Sequence, residues 1–312
     1  FSILSFGIFA ERAASTAVRN AGFMAGSFPP FAATAIAQED AVIIRLHKVN
    51  FIQLITDHPQ IHFAFTKLLA ERVRFISYLL FIVLFSIFIY TPLCHMVWHP
   101  DGLLNKYFGV KDFAGGTVVH MSAGFAALAG ALVVGNRKNP HHEPSNIPYV
   151  LLGTGMLWFG WFGFNAGSNL ESNYYAVLAM ANTFLAPAAA GLSWTITEWV
   201  TKGRPSLLGM ASGIVAGLVA ITPAAGFAGP VGAILLGLVV SPVCLFACST
   251  LKNMFGYDDS LDVFGIHCVG GIIGALGTAI VADPALGGQG FFDYTVFPAG
   301  IGAYDMGGQF LV

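Results

Sequence analysis

The sequence predicts an all-α, polytopic membrane protein, and three observations carry that prediction. Hydrophobic residues make up 56% of the 312-residue chain and charged residues only 10%, against about 25% charged in ordinary soluble domains. Seven stretches are long and apolar enough to cross a bilayer, which takes about 20 residues of helix. Glycine and alanine recur at helical spacing inside those stretches, as in "AGFAALAGAL", "GMASGIVAGLVA" and "CVGGIIGALGTA". Small faces of this kind let membrane helices approach backbone to backbone. The net charge of -2 gives no reason to expect nucleic acid or another strongly charged partner.

Taken in chain order, the opening "FSILSFGIFAER" is apolar and lacks a Met. It shows no signal peptide and reads as the end of a helix entered partway, over residues 1–12. Residues 13–68 break the pattern, with Arg45, His47, Lys48, Asp57, His58 and His62 spread through them. "AVIIRLHK" alternates like a strand, and "NFIQLITDHPQIHFAFTKLLAERV" reads as two helices around a Pro break. A small α+β-like cytoplasmic insert is therefore expected at 13–68, and the membrane core at 69–312. The core spans are expected near 75–97, 113–135, 147–168, 174–200, 206–226, 230–251 and 262–282. "GGQFLV" (307–312) reads as the opening of one more.

Loop charge sets the orientation, because cytoplasmic loops are enriched in Lys and Arg. If the end before residue 75 is cytoplasmic, the inside loops hold Arg72, Arg74, Arg137, Lys138, Lys202, Arg204 and Lys252, and the outside loops only Lys106 and Lys111. That asymmetry puts "AERVRF" in the cytoplasm. Cys94, Cys244, Cys248 and Cys268 lie in or at the edge of apolar stretches. They lack the paired spacing of a structural zinc site, so no metal is expected.

Polar residues within spans are costly and default to functional candidates. His120 and His267 both lie well inside, each one to two turns after an acid, Asp112 and Asp262. This points to a repeated unit whose halves meet at mid-membrane. A pair of neutral imidazoles can line a narrow path, each ring donating from one nitrogen and accepting at the other. Two metal ligands are the rival reading, and a weak one without a carboxylate or thiolate beside them. Asp112 opens its helix and is better placed to hold a helix terminus than to take a proton.

Aromatic residues form the second constellation. "HMVW" puts Trp98 at the outer end of its span, and "WFGFNAGS" puts Trp161, Phe162, Phe164 and Ser168 toward the outer end of another. Trp98 fits an interfacial belt and equally a cation site, since ring faces attract ammonium-type cations and a Ser oxygen accepts N–H.

These segments, with "AERVRF", "DFAGGTVVHMSAG", "KGRPSLLGMASGIVAGLVAITPAAGF", "GYDDSLDVFGIHCVGGIIG" and "LGGQG", occur in the order and nearly the spacing of the ammonium transporter (Amt/Mep/Rh) family. The chain resembles the Amt branch rather than the Rhesus branch because Trp98 is present. The resemblance implies an Amt-type bundle, with eleven spans in two inverted halves in the full fold. It also implies a homotrimer in the cell (plasma or inner) membrane. By matching position, Trp98 and Ser168 resemble the external recruitment site for ammonium, and Phe164 the inner ring of a phenylalanine gate. Asp112 resembles the buried acid supporting that site, and His120 with His267 the twin-histidine pair of the pore. Ammonium, or methylammonium as analogue, would be held outside, lose its proton, and cross as ammonia. A PII-type regulator is the protein partner the family implies.

Departures are informative. The outer gate phenylalanine expected upstream of the "AER" motif is not found: counting back from Glu71 lands near Asp57. "AER" occurs at both 10–12 and 70–72, bracketing the insert. "PPFAATAIAQEDAVIIRLHKVNFIQLITDHPQ" is similar to the C-terminal half of a cyclic-nucleotide-binding domain. Phe23 and Phe31 stand where its acid and phosphate-gripping arginine would be, so nucleotide binding is not expected. The insert leaves an ammonium sensor with a cytoplasmic signalling module as the alternative to a transporter. No nucleophile–base pair or phosphate loop is visible, and "GMASGIVAG" lacks the lysine of such a loop. Neither an enzyme nor a cofactor is expected.

Overall fold

In hydrocarbon, every backbone N–H and C=O must find its partner within the protein, which leaves helices as the natural spanning element. The computed structural model describes residues 73–137, 146–293 and 300–301. The expected helix end at 1–12, the insert at 13–68 with Phe23 and Phe31, the second "AER" and the opening at 307–312 lie outside those residues. The described residues fall into two units, 73–86 and 87 onward. In the first, α1 (Phe75–Phe85) stacks Phe81 on Phe85 at 5.7 Å between ring centroids.

The second unit is nearly all helical. It comprises α2 (Thr91–Trp98), α3 (Leu103–Phe108), α4 (Ser122–Val134), α5 (Ile147–Gly167), α6 (Tyr174–Lys202), α7 (Leu207–Ile221), α8 (Pro230–Phe246), α9 (Lys252–Phe255) and α10 (Val269–Val281). A two-residue antiparallel pair, β1 (Phe292–Asp293) and β2 (Gly300–Ile301), sets Phe292 opposite Ile301. Seven stretches of the described residues are long and apolar enough to cross a membrane: Ile76–Phe108, Gly116–Val134, Ile147–Gly167, Tyr174–Lys202, Leu207–Ala224, Pro230–Phe255 and Phe264–Val281. Their number and positions match those expected from the sequence. The first runs further, taking in α3.

Local chemistry sets the helix ends. Asn146, Asn173 and Ser206 cap α5, α6 and α7, accepting N–H from Tyr149, from Tyr175 and Ala176, and from Gly209. These caps hold donors that a helix start leaves without intrahelical partners. The centre is α7, where Ala216 and Leu218 to Ile221 are fully buried. Hydroxyls strap α8 to α6: Ser241 donates to the Ala190 carbonyl at 2.6 Å and Ser193 to the Leu238 carbonyl at 2.7 Å.

Hydropathy does not reveal the π-helical turns; of four among the described residues, two carry the histidines, a first at Gly116–Met121 ahead of α4 and a second at Phe264–Cys268 ahead of α10. The two segments cross where side chains are smallest. A Cβ on Gly124 would sit 2.5 Å from the Cys268 nitrogen, and one on Gly271 2.9 Å from the Gly116 carbonyl oxygen and 3.0 Å from Met121 Cγ. Gly124→Val should therefore open the crossing and cost about 1–3 kcal/mol or more, as overpacking does. Thermal unfolding of the detergent-solubilised protein should show a lowered Tm, and a parental Tm would refute the close-packing account.

Candidate functional site

The site begins with how two helices start. Asp112, only 7% exposed, lies just ahead of the first π turn. Its Oδ1 accepts N–H from Gly115 and Gly116 at 2.7 and 2.8 Å, and its Oδ2 from Thr117 and Val118 at 2.7 and 3.3 Å. One carboxylate thus takes four donors that the helix start leaves over. Burial pushes the Asp112 carboxyl up, and the four N–H donors pull it back. The turn depends on Gly115, whose φ of 115° suits glycine rather than a residue with a Cβ.

The second start repeats the first. Asp112 precedes His120 by eight residues, and Asp259 precedes His267 by eight. Asp259 is also buried, and its Oδ2 accepts the N–H of Phe264, the first residue of the second π turn, at 2.8 Å. Sequence spacing alone sets Asp262 ahead of His267. Asp262 stands at φ 53° and turns toward Lys252, with which it forms an ion pair. Burial raises the Asp262 carboxyl, and Lys252 offsets part of the rise. The repeat continues inward: Gly124 packs on Cys268, and Gly271 on Met121. Each glycine lies four residues past its own histidine and meets the residue just past the other.

This crossing brings the histidines together. The Nδ1 atoms of His120 and His267 are 3.3 Å apart, with ring centroids at 5.3 Å. One Nδ1 donates and the other accepts, since two N–H groups facing at this distance would repel. Trp161 stacks on His120 at 5.2 Å, and Phe164 lies 6.0 Å from it. Trp161 is fully buried, its indole N–H donating to the Thr222 hydroxyl at 3.0 Å. Among the described residues no group of three or more His, Cys, Asp and Glu side chains is gathered as a metal site would need.

Trp161, Phe164, Asn165 and Ser168 follow helical spacing and share one face of α5 and its C-cap. The Ser168 hydroxyl donates to the Phe164 carbonyl at 2.7 Å, so its oxygen offers only acceptor capacity to a ligand. Trp98 Nε1 donates to the Asp112 carbonyl at 2.7 Å. Its edge is thereby anchored, and the side chain stays 37% exposed. The geometry joins Trp98 to Asp112, Ser168 to Phe164, and Phe164 and Trp161 to the histidine pair. Trp98 and Ser168 share no hydrogen bond among the described residues.

A family profile described as "Ammonium Transporter Family" matches residues 62–307. The chain belongs to this family. An "Ammonium transporter" of Aquifex aeolicus is 53% identical over 217 residues, which is 70% of this chain and 51% of the relative. One of Bacillus subtilis is 46% identical over 71% of this chain and 54% of its own length. Among solved structures, Saccharomyces cerevisiae Mep2 aligns with a TM-score of 0.65 at 38% identity, over 69% of this chain and 49% of Mep2. The chain spans about half the length of the relatives it matches. The profile starts at residue 62, inside the segment the sequence reading gave to the insert.

Sequence reasoning missed Asp259, although the repeated eight-residue interval was there to be read. It also missed Asn165, which is fully buried and donates to the Thr183 hydroxyl at 3.0 Å, and Asn182, which donates to the Ala225 and Ala228 carbonyls at 2.8 and 2.7 Å. Asp112→Ala should leave four N–H donors without their acceptor. At about 1 kcal/mol or more for each charge-assisted bond, the Tm of the purified protein should fall clearly. An unchanged Tm would mean that water replaces the carboxylate.

Proposed function

We propose that this segment forms the conducting core of an ammonium transporter in a cell membrane, working as a homotrimer. The single observation that carries the reading is the 3.3 Å approach of His120 to His267 in an apolar crossing lined by Trp161 and Phe164. Trp98 and Ser168 recruit the cation from outside, the first through its ring face and the second through its acceptor-only oxygen. Methylammonium fits the same site as an analogue. Asp112 supports recruitment indirectly, because its backbone carbonyl holds the Trp98 indole while its carboxylate holds the helix below.

A cation costs several kcal/mol at the centre of a bilayer, and the apolar path offers ammonium no replacement for its water shell. Giving up a proton before transit removes that barrier. Phe164 is the inner ring at the entrance. Neutral ammonia passes the two imidazoles, the released proton follows across their Nδ1–Nδ1 bridge, and ammonium re-forms on the inner side, so each transit carries one charge. Potassium has no proton to lose and is rejected. The family match supports transport rather than the sensing alternative. A PII-type protein is the regulator expected on the cytoplasmic side.

The test is ammonium-evoked current from the full chain on a supported membrane. The parent should give a saturating current that ignores potassium. In the His120→Ala, His267→Ala double variant the current should be lost or become potassium-sensitive. A parent that binds ammonium yet passes no current would sink this reading.

A further inference from the structure

The crossing at Gly124 and Gly271 fixes where the two histidine helices touch, but one contact point leaves two rods free to scissor. A second tie lies at the far end of α4. Arg137 follows His120 by seventeen residues, about 25 Å away at the helical rise of about 1.5 Å per residue. Its Nε and backbone N–H both donate to Asp258 Oδ2, at 2.8 and 2.9 Å, and its Nη2 donates to Oδ1 at 2.7 Å. The two side chains are only 15% and 12% exposed. Beside them, Asn136 Nδ2 donates to the Gly256 carbonyl at 3.0 Å.

Asp258 adjoins Asp259, and Asp259 holds the N–H of Phe264 at the start of the π turn that carries His267. A continuous run of charge-assisted bonds therefore joins the end of one histidine helix to the beginning of the other. The next carboxylate along, Asp262, is held by Lys252, whose ammonium also donates to the Asp259 carbonyl at 3.2 Å. The loop from Gly256 to Asp262 is thus bound to α4, to α9 and to the second π turn. A guanidinium fork suits this task because it fixes angle as well as distance, which a lysine ammonium does not.

We propose that the Arg137–Asp258 fork is a positioning element for conduction. It is a strut that, with the glycine crossing as pivot, sets the angle between the two histidine helices and the width of the path on the cytoplasmic side of the pair. This rests on the transport reading above. Removing the strut lets the helices splay below the pivot, water enters beneath the imidazoles, and a hydrated cation gains the path that ammonia alone was using. Selectivity should suffer before conduction does.

The experiment uses the full chain in proteoliposomes, with Arg137→Ala, Asp258→Ala and Arg137→Lys, and reads the potassium-to-ammonium current ratio. The ratio should rise about tenfold in either alanine variant, equivalent to 1.4 kcal/mol of discrimination. Arg137→Lys, which keeps the charge and loses the fork, should fall between. An unchanged ratio with a lowered Tm would overturn the proposal and leave the pair purely structural. If the alanine variants fail to fold, Arg137→Lys decides: a parental ratio there also overturns it. Spin labels at the exposed positions Val133 and Leu276 report the interhelix angle without any current. Their separation should shift or broaden by about 1–2 Å in the variants, the scale of helix movements at packed contacts. A parent without ammonium current would remove the transport reading. The label distances would still decide the strut, and an unmoved distribution would overturn it.

Discussion

The structure depends on two helices being allowed to touch. His120 and His267 approach to 3.3 Å only because Gly124 and Gly271 put no Cβ between the backbones that carry them. Membrane helices gain little from burying apolar surface against each other, since lipid is as apolar as leucine, so contact must come from close packing and hydrogen bonds. Glycine supplies the first. The second comes from ties between elements, such as the Arg137–Asp258 fork and the Ser241 and Ser193 straps. A carboxylate just ahead of each histidine helix holds that helix's own start.

Those carboxylates explain how acids are tolerated here. Asp112 takes four backbone N–H groups and Asp259 the N–H that opens the second π turn. Asp258 meets Arg137, and Asp262 meets Lys252. Each negative charge is matched to a donor set fixed by the fold. The histidines are treated differently. They face each other, with Trp161 stacked on His120, and the pair shares one hydrogen between two nitrogens. The acids therefore serve the framework, and in the proposed transport role the imidazoles are the groups that meet a permeant molecule.

The sequence made the spans legible because hydropathy is a local quantity, summed over some twenty residues without reference to the fold. His120 and His267 were legible for the same reason, as polar residues set in apolar runs. The π turns ahead of α4 and α10 were not, because each starts where a carboxylate ahead of it takes the first backbone N–H groups, as in the Asp112 contacts to Gly115 through Val118. Choosing Asp262 over Asp259 failed for a related reason. Both precede His267, and only the left-handed backbone at residue 262 shows which carboxylate turns toward Lys252 and which toward the helix. Arg137 reads as an ordinary cytoplasmic loop charge of the positive-inside pattern, and Asp258 carries no sequence signal of its own. Their pairing spans 121 residues, and no local pattern signals it.

The repeat sharpens the picture of how such a path discriminates. Each half contributes an acid, a histidine eight residues later and a glycine four beyond that, and the halves meet so that each glycine receives the other's chain. An arrangement of this kind has no side chain able to replace a cation's water shell at the crossing itself, where the neighbours are imidazole, indole, phenyl and small residues. A permeant species must arrive needing no such replacement. Under the transport role proposed above, that condition excludes ions that keep their charge and admits one that sheds it near Trp98, which is anchored by the same residue that organises the helix behind it. Trp98 and the crossing are thus tied through Asp112, which binds the Trp98 indole by its carbonyl and the first π turn by its carboxylate.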